Sequence, residues 1–183
     1  IIMANPVSKL GRKLKLTASA KQRQEEVKAF DRRQLSDFLD ATAHAAKVLD
    51  RKHYPLFFCM ARTGIRIGEA FALEVPDVNF DTSTIRVERA VSVGQIVSPK
   101  DGEPREVDMT DQLAAVLKQM LTERREEYFR KGMQMPSLLF ISEAGTMLDY
   151  ANVRKVFLRC LRAAHLPLHY LSLIHISEPT RPY

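Results

Sequence analysis

The sequence predicts an α+β fold that is mainly α-helical, with helices around a small three-stranded antiparallel sheet. Apolar residues recur every three or four positions between residues 35 and 49, which is the spacing of an amphipathic helix. Residues 54–63 are almost all apolar, which indicates a buried helix. Around residues 85–87 and 106–109, apolar and charged residues alternate, as they do in half-buried strands. Helices therefore flank a short β region, an order typical of an α+β domain.

The composition is that of one soluble globular domain. The 183 residues are 45% hydrophobic and 27% charged, with 7 Gly and 9 Pro, which excludes a disordered or collagen-like chain. The longest apolar stretch is far shorter than the roughly 20 residues that a membrane-spanning helix needs. Cys59 and Cys160 lie far apart, which excludes a disulfide framework and a Cys-x-x-Cys zinc site. A reducing compartment follows, so we expect a cytoplasmic protein.

Three helices are predicted before the sheet. Asp31 has the position and chemistry of an N-cap for the first, whose apolar stripe continues to Leu49. The second covers residues 54–63 and ends at Gly64, which suits a left-handed cap. A short third helix runs through residues 71–73.

The β region is predicted to be one antiparallel meander. Its strands are centred on residues 85–87, 95–98 and 106–109, with turns at Gly94 and at Asp101-Gly102. The sheet that results has one apolar and one charged face, because apolar and charged residues alternate in the outer two strands.

Helical structure returns after the meander. Thr110 is a plausible N-cap for a helix that closes at Gly132, and Asp149 is another for the last helix. Between these helices, residues 138–141 are predicted to form a short apolar strand that ends at the Ala144-Gly145 turn.

Residues 1–29 are predicted to be a basic arm or interdomain linker. They hold seven Lys or Arg residues against two Glu residues and show little apolar periodicity. Such an arm suits a polyanion, because each contact with a phosphate releases condensed counterions. The alternative is an ordinary solvated tail, since basic termini occur in proteins of many functions. The candidate contacts are Lys9, Arg12, Lys13 and Lys15.

The segment from Thr63 to Glu69, Thr-Gly-Ile-Arg-Ile-Gly-Glu, carries the first candidate site. Glycines on both sides of Arg66 allow close approach of a ligand or of backbone. Glu69 follows Arg66 by about one helical turn, so the two side chains can pair. A guanidinium held in this way presents a planar fork of donors that fits phosphate oxygens. The alternative is an ordinary surface ion pair.

The second candidate is Lys100, which stands just before the Asp101-Gly102 turn, with Arg105 opening the next strand. A lysine at a hairpin tip can reach outward and protonate a leaving oxygen of a bound substrate. The alternative is a solubilising edge lysine that discourages the pairing of sheets.

Together these features resemble the catalytic domain of the tyrosine recombinases, the phage integrase type of enzyme. Members carry a Thr-Gly-x-Arg-x-Gly-Glu box that closes a buried helix. A connector similar to residues 73–80 follows, then a lysine-bearing hairpin and a strand that reads like residues 105–109. Residues 30–170 are therefore interpreted as an incomplete catalytic domain, which departs from the usual connector at Val75 and Asn79.

The resemblance implies strand cleavage of double-stranded DNA by a tyrosine, with no metal and no nucleotide cofactor. By position, Arg66 would stabilise the phosphate charge in the transition state, Glu69 would support it, and Lys100 would protonate the leaving oxygen. Arg105 and the four basic residues of the arm are predicted to bind DNA. Recombinases of this type act as homotetramers, whereas this chain is expected to be monomeric.

The resemblance ends at Tyr170. Family members continue into a His-x-x-Arg box and a nucleophilic tyrosine, whereas residues 171–183 have no arginine at the required place. Residues 171–181 fit the translation of a transposase adaptor codon by codon, so we interpret residues 171–183 as a non-native tail. A natural divergent tail is the alternative. Tyr183 is not predicted to be the nucleophile.

Two functions follow from these observations. The first is a fragment of a site-specific DNA recombinase, which in its full form cleaves and rejoins strands through a 3′-phosphotyrosyl intermediate. We expect the fragment itself to be inactive, because it lacks the nucleophile and the second arginine. The alternative is a non-catalytic DNA-binding module or remnant.

Overall fold

A computed structural model describes residues 30–92, 94–97 and 103–167. The predictions for residues 1–29, for Lys100 and for residues 171–183 lie outside these described residues. The helices of the described part are α1 (Arg32–Ala43), α2 (Val48–Arg51), α3 (Tyr54–Thr63), α4 (Ile67–Ala72), α5 (Asp111–Arg130) and α6 (Tyr150–Ala163). The strands are β1 (Val78–Asn79), β2 (Thr84–Val87), β3 (Ala90–Ser92), β4 (Gln95–Val97) and β5 (Arg105–Asp108).

The prediction of one helix reaching Leu49 is wrong. The Asp31 cap is confirmed, because its carboxylate accepts the Gln34 N–H at 2.8 Å and the Gln34 side chain returns the bond. However, α1 ends at Ala43, and Val48 opens the separate helix α2. The break lets α2 place Asp50 against α6, where this carboxylate is buried in an ion pair.

Helix α3 is the buried centre of the fold, as its apolar sequence predicts. Five consecutive residues, Leu56 to Met60, are buried, and the helix packs against both α1 and α5. It ends where predicted, at Gly64, whose φ of 66° lies in the left-handed region that glycine tolerates. The Gly64 N–H donates to the Met60 carbonyl oxygen at 2.9 Å and closes the helix.

The small antiparallel sheet has three strands, but they are not the predicted meander. The strand order is β1-β2-β5, so the second strand of the chain pairs directly with the fifth, with Ile85 opposite Val107. Strands β3 and β4 form a separate two-stranded hairpin. This hairpin leaves the sheet because its β3 strand packs against α4 instead.

The predicted strand at residues 138–141 is also wrong. Only isolated bridges form there, from Leu138 to Glu74 and from Ile141 to Met147. A buried guanidinium replaces strand pairing, because Arg124 of α5 donates to the carbonyl oxygens of Leu138 and Leu139 at 3.0 and 2.7 Å. Burial lowers the pKa of Arg124, and this effect outweighs the opposing charge of Glu127.

The last two helices begin as predicted. Thr110 caps α5 by accepting the Leu113 N–H, and Asp149 caps α6 by accepting the Asn152 N–H. Gly132, at φ 63°, follows the end of α5. In the part of the chain that the structure describes, no helix is both long and apolar enough to cross a membrane.

Candidate active site

The candidate site begins where α3 ends. After the left-handed turn at Gly64, Ile65 is fully buried and anchors the connection in the core. Arg66 then adopts an extended backbone, with φ −71° and ψ 151°, immediately before α4. Its side chain is 27% exposed, so it stands at the surface of the core rather than in free solvent. The local sequence thus fixes the guanidinium between two helices.

Glu69 is the centre of the site. Its side chain is only 1% exposed, and its two carboxylate oxygens accept four hydrogen bonds. Arg66 contributes two of them: its backbone N–H donates to Oε2 at 2.8 Å, and its Nη1 donates to Oε1 at 3.3 Å. The predicted pairing of Arg66 with Glu69 is therefore confirmed.

Arg105 supplies the other two hydrogen bonds to Glu69. Its Nη1 donates to Oε1 at 2.9 Å and its Nη2 to Oε2 at 2.6 Å, the parallel two-bond geometry of a guanidinium on a carboxylate. Sequence reasoning missed this contact, since 36 positions separate the two residues. The one signal in the sequence was that Arg105 begins a predicted strand. If the partner of that strand had been known to lie close to the box, the contact between Arg105 and Glu69 could have been predicted. Its predicted DNA contact stays a prediction.

The charge state of Glu69 follows from these contacts. Burial alone would raise the pKa of the carboxyl group. The hydrogen bonds from Arg105 and from the Arg66 N–H, together with the charges of both guanidiniums, outweigh burial and lower the pKa below its ordinary value of 4.5. Glu69 is therefore ionised at neutral pH.

Gly68 brings the β3–β4 hairpin to the same place. A Cβ atom at this position would lie 2.6 Å from the carbonyl oxygen of Val91 in β3, closer than real Cβ contacts come. The missing side chain therefore lets the hairpin backbone lie directly on α4. The two described strands that flank Lys100 in sequence are thus both tied to the box: β4 through its partner β3, and β5 through Arg105.

Two other features of the described residues are separate from this cluster. A cleft of about 990 Å³ lies at the opposite end of α3, between α2, α5 and α6, and neither Arg66, Glu69 nor Arg105 lines it. Within residues 30–92, 94–97 and 103–167, no group of three or more His, Cys, Asp or Glu side chains could hold a metal ion.

Comparison with known proteins matches the chain to one family. The model of the phage integrase family matches residues 28–173, which is most of the chain and includes the whole cluster. The chain belongs to the phage integrase family. The family match confirms the resemblance, and the structure confirms the fold class. The predicted hairpin around Lys100 is not confirmed, because β4 pairs with β3 and β5 pairs with β2.

The relatives are distant. The protein y4rB of Sinorhizobium fredii, described as an integrase/recombinase, is 30% identical over 105 residues, which are 57% of this chain and 30% of y4rB. A XerC-like tyrosine recombinase of Caldanaerobacter subterraneus is 22% identical over 192 residues, covering 93% of this chain and 47% of that protein. This phage integrase family chain thus spans 30% and 47% of the lengths of these two curated relatives.

Solved structures share the fold. The Tn1549 transposon integrase in complex with transposon right end DNA matches with a TM-score of 0.62 at 22% identity, over 75% of this chain and 45% of that one. At this identity, the likeness shows that the two chains fold alike and carries no residue roles.

Proposed function

We propose that this chain is part of a site-specific recombinase that cleaves and rejoins DNA strands through a 3′-phosphotyrosyl intermediate. The observation that carries the proposal is the cluster of two guanidiniums on one buried carboxylate, within a box typical of the family. The charges of these three side chains sum to +1. Fixed donors with excess positive charge suit a phosphodiester whose oxygens gain charge in the transition state.

Each residue of the cluster has a proposed role. Arg66 would donate to the non-bridging oxygens of the scissile phosphate, and Glu69 would hold Arg66 in place. Lys100 would protonate the leaving 5′ oxygen. What supports this role for Lys100 is that the strands before and after its loop, β4 and β5, are both tied to the box. The bond broken is the phosphorus–oxygen bond to the 5′ oxygen, while the tyrosine oxygen forms the new bond to phosphorus.

The partners and location extend the proposal. The basic arm with Lys9, Arg12, Lys13 and Lys15 would clamp the DNA backbone, in the cytoplasm. The whole recombinase would act as a homotetramer on two duplexes, and this chain alone would be a monomer. Because its sequence after Tyr170 does not match a His-x-x-Arg box, we propose that the chain does not cleave DNA alone.

Covalent trapping on nicked DNA tests the proposal. Residues 30–170 are joined to the segment that follows the matched region in the XerC-like relative, and the chimera is mixed with a suicide substrate. We expect a protein–DNA adduct that Arg66→Ala abolishes, because one lost transition-state donor costs about a hundredfold or more. Arg86→Ala is the matched control, since this exposed arginine of β2 pairs only with Glu88 among the contacts described for it. Equal adduct from Arg66→Ala and the unmodified chimera would refute the assignment.

The second candidate is a non-catalytic DNA-binding module, and the lack of a His-x-x-Arg box in residues 171–183 favours it. Its signature would be duplex binding whose salt dependence falls when the four basic arm residues are neutralised. Such binding, with no adduct from any chimera, would favour the module over the recombinase.

A further inference from the structure

We infer that Arg105 is a positioning residue: it orients Arg66 through the carboxylate that they share and does not act as a DNA contact. The inference rests on the proposed function, since it assigns Arg105 a task in the site where Arg66 would meet the phosphate. It replaces the expectation that Arg105 binds DNA with a role that the contacts of its guanidinium support directly.

The distances show which arginine controls the carboxylate. Arg105 donates to both oxygens of Glu69, at 2.9 and 2.6 Å. The Nη1 of Arg66 approaches Oε1 at 3.3 Å and is the looser side-chain contact. The orientation of Glu69 is therefore set by Arg105 together with the Arg66 backbone N–H, which donates to Oε2 at 2.8 Å, and the Arg66 guanidinium lies against an acceptor that is already fixed.

The backbone of Arg105 is itself held firmly. It lies opposite Val87 in the β2–β5 ladder, and Val87 is fully buried. The sheet thus provides a fixed base for the guanidinium, whereas Glu69 belongs to the short helix α4. A rigid strand clamps a side chain of a short helix, and this clamp determines where Arg66 can point.

The charge of the cluster also favours positioning. The two terminal nitrogens of Arg105 are engaged with Glu69, and its charge offsets that of the buried carboxylate. Without Arg105, the Arg66 guanidinium would become the main partner of Glu69 and would be drawn toward it. Arg105 therefore reduces the attraction of Glu69 for the Arg66 guanidinium.

The first experiment measures the effect on Arg66 and Glu69 in the 183-residue chain. NMR follows the Arg66 Nε–H signal and the titration of the Glu69 side-chain carbon in Arg105→Ala, Arg105→Lys and the control Arg86→Ala. We expect Arg105→Ala to raise the pKa of Glu69, because two hydrogen bonds and a nearby positive charge are lost. The Arg66 signal should shift, because its guanidinium would be drawn toward Glu69. Arg105→Lys, which keeps the charge but not the fork, should give intermediate values.

Two outcomes would overturn the inference. One is an Arg66 signal and a Glu69 titration in Arg105→Ala that match the unmodified chain. The other is an Arg105→Lys variant indistinguishable from Arg105→Ala, since that would deny the fork any role. Arg105→Lys retains the ion pair and so keeps the test valid if Arg105→Ala fails to fold. Arg86→Ala should match the unmodified chain in both readouts.

The second experiment separates positioning from DNA contact. Binding of a short duplex is measured over a range of salt concentrations for the unmodified chain, for Arg66→Ala and for Arg66→Ala combined with Arg105→Ala. We expect the slope of log affinity against log salt to be the same in the single and the double variant, because Arg105 acts through Arg66, whereas loss of a phosphate contact made by Arg105 itself would reduce the slope of the double variant by about one. A lower slope in the double variant than in the single variant would overturn the inference. Absence of duplex binding by the unmodified chain would instead count against the proposed function, and the NMR readouts would still decide the role of Arg105.

Discussion

Two buried carboxylates of this protein are held by arginines in almost the same way, but the number of arginines on each carboxylate differs. Asp50 of α2 receives two hydrogen bonds from Arg159 of α6, at 2.9 and 2.5 Å, and its side chain is 6% exposed. Glu69 receives the same double contact from Arg105, and in addition a guanidinium and a backbone N–H from Arg66. The first pair is neutral, while the second cluster is positive by one charge.

This difference separates an ion pair that only fastens two helices together from a cluster that is proposed to bind a phosphate. The Asp50–Arg159 pair fastens α2 to α6, and its charges satisfy each other. At Glu69, one carboxylate supports two guanidiniums, so the charges of these three side chains sum to +1 at a fixed position. The double hydrogen bond from one arginine is common to Asp50 and Glu69. The number of guanidiniums on each carboxylate is what distinguishes the two sites.

The largest effect is expected from removing each carboxylate. Glu69→Gln should lower the free energy of unfolding by about 3 kcal/mol, because the amide turns an NH2 group toward two of the four donors and both guanidiniums lose their counter-charge in a buried site. Asp50→Asn should cost about 2 kcal/mol, because only two donors are affected and Arg159 is 36% exposed. Urea unfolding of both variants measures the difference. A cost for Asp50→Asn equal to or above that of Glu69→Gln would contradict the comparison.

Low pH should remove part of the stability that these two carboxylates contribute. The folded-state pKa values of Glu69 and Asp50 both lie below their ordinary values of 4.5 and 3.8. Their stabilising contributions are therefore present above those values and are lost as pH falls through the lowered folded-state values. Unfolding measured from pH 6 downward should show the gap between Glu69→Gln and the unmodified chain narrowing below about pH 4.5. A gap that is constant down to pH 3 would contradict the ionised carboxylate.

Two glycines, one in the box and one in the hairpin turn, allow a further comparison between the site and the rest of the fold. Gly68→Ala should cost about 2 kcal/mol, because its Cβ would meet the Val91 carbonyl oxygen at 2.6 Å and the hairpin must move. Gly94→Ala, at φ 75° in open space, should cost about 1 kcal/mol from backbone strain alone. Thermal unfolding gives both costs, and the amide signal of Val91 should shift in Gly68→Ala only.

The smallest effect is expected at a pair that is exposed. Arg86 bonds Glu88 at 2.9 Å, but its side chain is 59% exposed, so water screens the attraction. Arg86→Ala should change the free energy of unfolding by less than about 0.5 kcal/mol. A larger loss in urea unfolding would show that exposure does not rank these pairs.

Local features of the fold could be predicted from the sequence because their interactions are short-range. The caps at Asp31, Thr110 and Asp149 each bond a backbone N–H three residues ahead, and Gly64 closes its own helix. The pairing of Arg66 with Glu69 is of the same kind, since it spans three positions.

Features that depend on distant partners could not be predicted in this way. The break after Ala43 serves a pair whose members, Asp50 and Arg159, are 109 positions apart. The direct pairing of β2 with β5 depends on β3 packing against α4 rather than on turn residues. The pairing of β2 with β5 also places Arg105 beside Glu69. The sequence therefore predicted the contact of Glu69 with Arg66 but not its contact with Arg105.

The most direct test of the positive cluster is to watch its arginine as DNA is added. Duplex DNA is titrated into the chain with ¹⁵N-labelled arginine, and the Nε–H signals of Arg66 and Arg159 are followed. We predict that the Arg66 signal shifts with saturation and returns when salt is raised, while that of Arg159 in its neutral pair stays in place. An unmoved Arg66 signal, with other arginines responding to DNA, would contradict the assignment of the phosphate to this cluster.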